Sequence, residues 1–363
     1  MRRRRTLAAR AVACGATLVH PASKLAGGTS PREGSSASTG APAPVSVGRA
    51  ERLLVVAPHP DDETIGAGGL IQRVRAQGGT VRILLVTAGD GYVEAVAHET
   101  GEPRPRAAEY IAYGERRLRE ARAAMRRLDG TQLRLQFLGF PDGGLDGLLR
   151  AHWLRTNPER SRTTGASDPP YDGEALEPDV PYDGADLRRE LLNVIRETEP
   201  TIVAFPDPLD VHPDHRATGV FALLALDDYA RDPHRSMPRL LAYLVHWPDW
   251  PPGGDAKEVA PGASNEPLVL PGDLPRRGLG PVSLALSDAE IDAKRAALAR
   301  YASQQQVMPE LLAAFVRRSE PFTRLTEADL RTAGPLIPSA TPADRPTPAA
   351  TPAPSPGRLP PVS

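Results

Sequence analysis

The feature that most constrains this chain is an alternation of short continuous apolar runs with longer stretches of helical period. Apolar runs occupy Leu53 to Ala57, Val81 to Thr87, Leu133 to Leu138, Thr201 to Phe205 and Leu240 to Val245. Each has strand length and lacks the two-residue alternation of a half-exposed strand, so each reads as a strand buried on both faces. Helical patterns lie between them, near Ile65 to Gln77, Arg106 to Leu128, Asp186 to Thr198 and Ala217 to Tyr229, and one more follows at Asp288 to Ala302. Strand and helix in strict alternation predict an α/β fold, a Rossmann-like and mostly parallel sheet of about five or six strands with helices on both faces. In such a sheet ligands bind beyond the carboxyl ends of the strands, where the strand order reverses.

Three breaks in the pattern are long, at about 89 to 105, 139 to 184 and 246 to 286, and each follows a strand. They are expected to rim one sheet edge. They carry Tyr92, His98, His152, Trp153, Tyr171, Tyr182, Trp247 and Trp250, although aromatics are only 5% of the chain. The functional reading is a broad substrate cleft; the structural alternative is that loops of this length need aromatic anchors of their own.

Two clusters of polar residues fall at strand ends. After the first strand comes Pro58-His59-Pro60-Asp61-Asp62-Glu63, then Thr64-Ile65-Gly66-Ala67-Gly68-Gly69 opening a helix; after the fourth comes Pro206-Asp207-Pro208-Leu209-Asp210-Val211-His212-Pro213-Asp214-His215. If those two strands are neighbours, the clusters converge, and two imidazoles with a carboxylate suffice for a divalent metal with open positions. Singly, an Asp opening a helix is an N-cap, a His is a satisfied polar group and the prolines merely stop strands. Together, adjacent Asp61 and Asp62 repel each other unless a cation is near. The glycines do not make a dinucleotide fingerprint, because the required third position holds Ile71, and no nucleotide cofactor is expected. Their smallness is read as allowing the helix close to the sheet. A GxSxG elbow is absent and Cys14, the only cysteine, precedes the folded part, so a Ser or Cys nucleophile has no support and any metal must use His and carboxylates.

At these residues the chain resembles the PIG-L/LmbE-type deacetylases, zinc hydrolases that remove acetyl groups from N-acetylglucosamine-containing or related amides. The motif (A/P)HPDDE is matched by Pro58 to Glu63 and HPDH by His212 to His215. Further similar stretches are Thr87 to Gly91, Arg117 with Glu120, Phe140 to Gly143, and Lys294 with Tyr301, Ser303 and Gln304, so the resemblance spans about 51 to 310. It implies His59, Asp62 and His215 as ligands of Zn2+, with Fe2+ as the alternative ion. It further implies Asp61 as general base, His212 as the group that polarises the carbonyl or protonates the leaving amine, and Asp214 as the residue that orients His212. The chemistry is consistent with that assignment, since a zinc ion lowers the pKa of its water to about 7. Pro58 stands where Ala is commoner, and the insertions at 139 to 184 and 246 to 286 have no counterpart that would name a ligand. The implied substrate is a small N-acetylated sugar or glycoconjugate.

Two other readings stay open. A two-His, one-carboxylate set also serves iron(II) oxygenases, which do not need Asp61 and His212 beside it. A carbohydrate-binding or metal-storing protein without turnover is the other. A dedicated nucleic-acid partner is excluded by the balance of 44 Lys and Arg against 45 Asp and Glu. A transmembrane span is not expected, because no apolar run reaches about 18 residues.

The chain is divided into a basic leader and linker over 1–50, a catalytic domain over 51–336 and a Pro/Ala/Thr-rich disordered tail over 337–363. Met1 to Arg5 with the following apolar stretch has the outline of a secretory signal, interrupted by Arg10, and Ala11-Val12-Ala13-Cys14 resembles a lipoprotein box with Ala where Leu is usual. A cytoplasmic protein with a disordered leader is the reading adopted, and export or lipid anchoring through Cys14 the alternative. Oligomeric state is not legible.

Overall fold

The structure, a computed structural model, describes residues 41–129, 133–171, 173–254 and 263–331. The leader with Cys14 and the tail from Ile337 lie outside the described residues. In chain order the elements are β1 (Ala43–Pro44), β2 (Arg52–Ala57), α1 (Asp62–Ala76), β3 (Thr80–Thr87), α2 (Val93–Thr100) and α3 (Ala107–Asp129). Then come β4 (Arg134–Phe140), α4 (Leu145–Arg150), α5 (Gly184–Thr198), β5 (Ile202–Pro206), α6 (Pro213–Ala230) and β6 (Arg239–Tyr243). The chain continues through β7 (Gly280–Ala285), α7 (Asp288–Leu298), α8 (Ala302–Gln305), α9 (Pro309–Ala314), β8 (Ser319–Leu325) and α10 (Glu327–Leu330).

The strands form one sheet in the order β1-β7-β8-β6-β5-β2-β3-β4. From β4 to β6 all pairings are parallel, whereas β8 is antiparallel to both β6 and β7. The five runs read from the sequence are these five parallel strands. The sheet has eight strands and is larger than the expected five or six, because β1 joins it and so do β7 and β8. Both carry a proline, Pro281 and Pro321, and β8 adds Glu320 and Arg324, so neither has the unbroken apolar run of a doubly covered parallel strand.

Alternate residues of each parallel strand enter opposite cores. Leu53, Val55 and Ala57 of β2 pack with Ile65 and Leu70 of α1, Leu118 of α3 and Ile291 of α7. Leu54 and Val56 pack on the other face with Leu187 and Leu191 of α5 and with Phe221 and Leu224 of α6. Burying both sides of the strand accounts for the continuous apolar run. At Gly66, a Cβ would stand 2.4 Å from the ring of Tyr243 on β6, so only glycine lets α1 lie this close to the sheet. Among the described residues no helix is long and apolar enough to cross a membrane.

The order reverses between β2 and β5, which pair directly at Leu53–Ile202, Leu54–Val203 and Val55–Ala204. The two polar clusters therefore leave neighbouring strands at the same edge. Of the two readings of the rim aromatics, loop anchoring is the one that four of the rings follow. Tyr171 packs on Phe137, Tyr182 on Phe140, Trp153 on Phe221 and Trp250 on Phe315. His152 is likewise tied inside its own loop, to the carbonyl of Asn157 at 3.0 Å and to Glu159 at 3.1 Å. These side chains anchor the long loops, because a loop that crosses an apolar sheet edge gains most by burying its own rings. Tyr92 and Trp247 stay half-buried and His98 is exposed.

Candidate metal centre

Every parallel strand delivers polar residues to this edge: His59, Asp61 and Asp62 after β2, Asp90 after β3, Asp142 after β4, Asp210, His212 and His215 after β5, and His246 after β6. The β2 turn is held from β3, where Thr87 donates to the carbonyl of Pro58 through both its amide and its hydroxyl, each at 2.9 Å. Arg117 of α3 donates to the carbonyl of Pro60 at 2.7 Å, to Asp61 Oδ2 at 3.1 Å and to the carbonyl of Gly89 at 2.9 Å. Gly89 has φ 67°, and a Cβ there would meet the Arg117 guanidinium at 2.0 Å, so the arginine depends on that glycine for its place.

His59 Nδ1 lies 3.1 Å and His215 Nε2 3.2 Å from the same atom, Asp62 Oδ2. The three residues offer ligand atoms that all lie within 4.8 Å of one another. Donor atoms around a tetrahedral zinc with bonds of about 2.0–2.1 Å are themselves about 3.3 Å apart, so the two close separations fit a shared ion. The charge balance fits as well. Burial alone would lower both imidazoles, yet the Asp142 carboxylate carries His59 well above its ordinary value, and Asp62 with Asp210 carry His215 to about 9. Asp62 is held well below the carboxylate range by His215 and His59 despite burial, which would raise it. A site that binds protons this tightly is a site of negative potential, and a divalent cation satisfies the same demand.

The outer nitrogens of both imidazoles face carboxylates, the arrangement common around metal-binding histidines, although His215 Nδ1 makes no hydrogen bond at its separation. Asp210 Oδ2 stands 3.4 Å from His215 Nδ1 and also accepts the amides of Val245 and His246, each at 3.0 Å. His59 Nε2 faces Asp142 Oδ1 at 3.2 Å and Asp214 Oδ2 at 3.4 Å, so His59, Asp142 and Asp214 form a second close group that shares the one imidazole. Asp142 is anchored by the Gly91 amide at 2.6 Å.

Asp214 departs from its expected role of orienting His212. Its carboxylate accepts the amides of Gly143 at 2.6 Å and Leu145 at 3.1 Å and faces His59, with no bond to His212 among the described residues. The reason is local: Asp214 lies in the first turn of α6, wholly buried, and two free amides of the 141–145 loop point into it. His212 is the N-cap of that helix, with its amide on Asp210 Oδ1 at 2.9 Å and its Nδ1 buried without a hydrogen-bond partner. Its ring lies 5.2 Å from His59, 4.9 Å from His215 and 5.2 Å from His246, centroid to centroid. Burial and then the neighbouring His215 and His59 push it down to about 2, so it stands as a neutral imidazole.

Asp61 lies beside the ligand group and outside it. Its backbone has φ 132° and ψ −30°, a conformation that costs a non-glycine residue of order 1–3 kcal/mol and is kept where the surroundings enforce it. Burial lifts its carboxyl to about 8, Arg117 working against the rise and Asp62 with it.

His246 and the part played by Asp210 were not legible as site features. For His246 a signal was present: it follows the last parallel strand, as His59 follows the first.

The profile of the protein family PIG-L, described as GlcNAc-PI de-N-acetylase, matches residues 54–226. Among curated proteins, the 1D-myo-inositol 2-acetamido-2-deoxy-alpha-D-glucopyranoside deacetylase of Rhodococcus jostii is 30% identical over 273 residues, 71% of this chain and 83% of its own. Deacetylase 2 of the same name from Saccharopolyspora erythraea is 31% identical over 185 residues, 50% of this chain. The match spans 57% of that relative's own length. Among solved structures, the N,N'-diacetylchitobiose deacetylase from Pyrococcus horikoshii aligns over 77% of this chain and 85% of its own, with 18% identity and a TM-score of 0.44. By the extent and identity of the Rhodococcus match, together with the family profile over the segment that holds both polar clusters, the chain belongs to the PIG-L family.

Proposed function

We propose that the protein is a metal-dependent amidohydrolase that removes the acetyl group from an N-acetylated sugar or glycoconjugate. The observation that carries this reading is the meeting of His59, Asp62 and His215 at the strand reversal, with Asp61 held beside them and outside the ligand group. Those three residues would hold the ion, Zn2+ in first place and Fe2+ as the alternative. When bound, the ion supplies Lewis-acid activation of water and of the scissile carbonyl.

The chain's own residues supply the rest. Asp61 takes the proton of the attacking water; its high proton affinity suits a general base working near neutral pH. Arg117 fixes the direction of that carboxylate. As the water oxygen bonds to the amide carbon, negative charge develops on the carbonyl oxygen, and the neutral His212 can donate an N–H to it. The proton held by Asp61 then passes to the nitrogen, the carbon–nitrogen bond breaks, and acetate and a free amine leave. Asp142 and Asp214 keep the His59 ring in register, and Asp210 does the same for His215. The relatives named as deacetylases of an acetamido-glucopyranoside support the substrate class.

The test is amine release from a panel of N-acetylated sugars and sugar conjugates, using chelated protein, zinc-restored protein and Asp61→Asn. Turnover that requires both zinc and Asp61, with zinc still bound by the variant, is the expected result. Undiminished turnover by a folded, metal-loaded Asp61→Asn would remove the base assignment. Metal binding without turnover on any panel member would return the site to the oxygenase or binding readings.

A further inference from the structure

The turn that carries Asp61 is pinned by residues from the far end of the chain. The peptide plane between Pro60 and Asp61 is gripped at both ends: its carbonyl accepts from Arg117 at 2.7 Å and its N–H donates to Glu63 Oε2 at 3.1 Å. The next carbonyl, that of Asp61, accepts the amides of Thr64 at 2.9 Å and Ile65 at 2.8 Å, the first turn of α1. These two grips define the rotation about the Asp61 N–Cα bond, and so the direction of its carboxylate, in a region that a non-glycine residue otherwise leaves. Glu63 is itself held at its other oxygen, by the Thr64 hydroxyl at 2.7 Å and by the hydroxyl of Tyr301. Tyr301 is fully buried just beyond α7, outside the segment that matches the family profile. A second tie runs parallel to it: Lys294 of α7 donates to the carbonyl of Ile65 at 2.8 Å and pairs with Glu320 of β8 at 2.7 Å. Glu320 in turn accepts the amides of Gly69 and Leu70, where α1 kinks at Ala67.

With Asp61 read as the base, as above, we propose that Tyr301 is a positioning residue of the reaction: its hydroxyl, acting through Glu63, keeps the backbone of Asp61 in the conformation that aims the carboxylate. The hydroxyl reaches no group of the metal-ligand set, so it acts on the direction of the base and leaves the ion's ligands alone. The Thr64 hydroxyl contributes to the same anchor but sits on the turn it would have to restrain. Tyr301 comes from a separate element and therefore fixes Glu63 against the rest of the fold.

Tyr301→Phe removes the hydroxyl and keeps the ring. On N-acetylglucosamine with zinc-restored protein, kcat is expected to fall by about 10–100-fold with KM nearly unchanged, since small misplacement of a reacting group costs on that scale. Bound zinc per chain stays at the wild-type level. Hydrogen exchange rises in peptides covering residues 58–66 and stays at wild-type protection in β2 and β5. Glu63→Gln, whose amide oxygen can still accept the Asp61 N–H and whose nitrogen can donate to the Tyr301 oxygen, retains most of the kcat. Wild-type kcat and wild-type exchange in Tyr301→Phe would overturn the proposal. So would a loss of protection spread evenly over the chain with kcat and KM changing together, the pattern of general destabilisation. If the wild type does not turn over N-acetylglucosamine, exchange at 58–66 in the variant decides whether Tyr301 holds the turn, and wild-type exchange there overturns the proposal.

Discussion

Two buried carboxylates at the strand reversal and one on α5 behave oppositely. At the reversal point, Asp62 and Asp142 are driven below the ordinary carboxylate range although burial acts to raise them, because His215 and His59 lie against them. On α5, Glu190 is only 2% exposed and neither of its oxygens has a hydrogen-bond partner; burial first, and then the charge of Glu177, lifts it to about 8. Burial is common to all three, so for these groups the charge is decided by the imidazoles set against Asp62 and Asp142 and by their lack at Glu190. Asp62 and Asp142 stay ionised and bid for positive charge, whereas Asp61 and Asp90 beside them are lifted to about 8 and about 7. Glu190, like those two, sheds its charge by taking a proton. A strongly shifted acid is therefore no evidence of a metal site by itself; what separates Asp62 from Glu190 is the pair of imidazoles set against it.

The contrast is broken most severely by removing the atom that the two imidazoles share. In Asp62→Ala, His59 and His215 lose their common neighbour, and bound zinc and turnover are both expected to fall to background. Zinc content after dialysis and amine release from N-acetylglucosamine measure the two losses; retention of stoichiometric zinc would show that the ligand group is not the one assigned. A smaller effect is expected from Asp142→Asn or Asp214→Asn, which leave the ligand atoms in place and weaken what orients the His59 ring. Losses of that kind run at about 10–100-fold in metal affinity or activity. Competition with a chromophoric chelator gives the affinity directly, and wild-type affinity in both variants would show that the carboxylates on Nε2 do not support the ligand.

How much of this was legible in the sequence follows from how local each feature is. The five parallel strands were legible because burial on both faces writes an unbroken apolar run, whereas β7, broken by Pro281, was read as part of a loop, and β8, with Pro321 and its charges, was assigned no element. The meeting of the β2 and β5 clusters was legible from the rule that α/β sheets bind ligands where the strand order reverses, and the direct pairing of those strands puts them side by side. Side-chain direction was not. Asp214 stands between His212 and His215 in the chain, yet its carboxylate turns toward amides 69 and 71 residues away, Leu145 and Gly143. Tyr301 could be noticed as part of a similar stretch, but its partner Glu63 lies 238 residues earlier, a pairing that only the folded chain brings together. The rim aromatics left two readings open for the converse reason: composition places rings in loops without saying whether they face a ligand or the protein's own core.

The smallest expected effect sharpens the contrast from the other side. Glu190 has a folded-state proton affinity, about 8, above the ordinary value of 4.5, so between those values the folded protein holds a proton that the unfolded chain has released. Stability is therefore lost as pH rises through this window, and the penalty is fully present above about pH 8. Glu190→Gln removes the ionisation and keeps the shape. At pH 9 the variant is expected to be more stable than the wild type by about 1–3 kcal/mol, the scale of an unpaired buried polar group. Below pH 4.5 both side chains are neutral and the difference should vanish. Urea denaturation midpoints at the two pH values measure it, and zinc affinity should be the same in both proteins, because Glu190 has no contact with the ligand group. A gain independent of pH would mean that the glutamate is destabilising by its packing, and that its protonation is not the counterpart of the ionised Asp62 and Asp142 at the sheet edge.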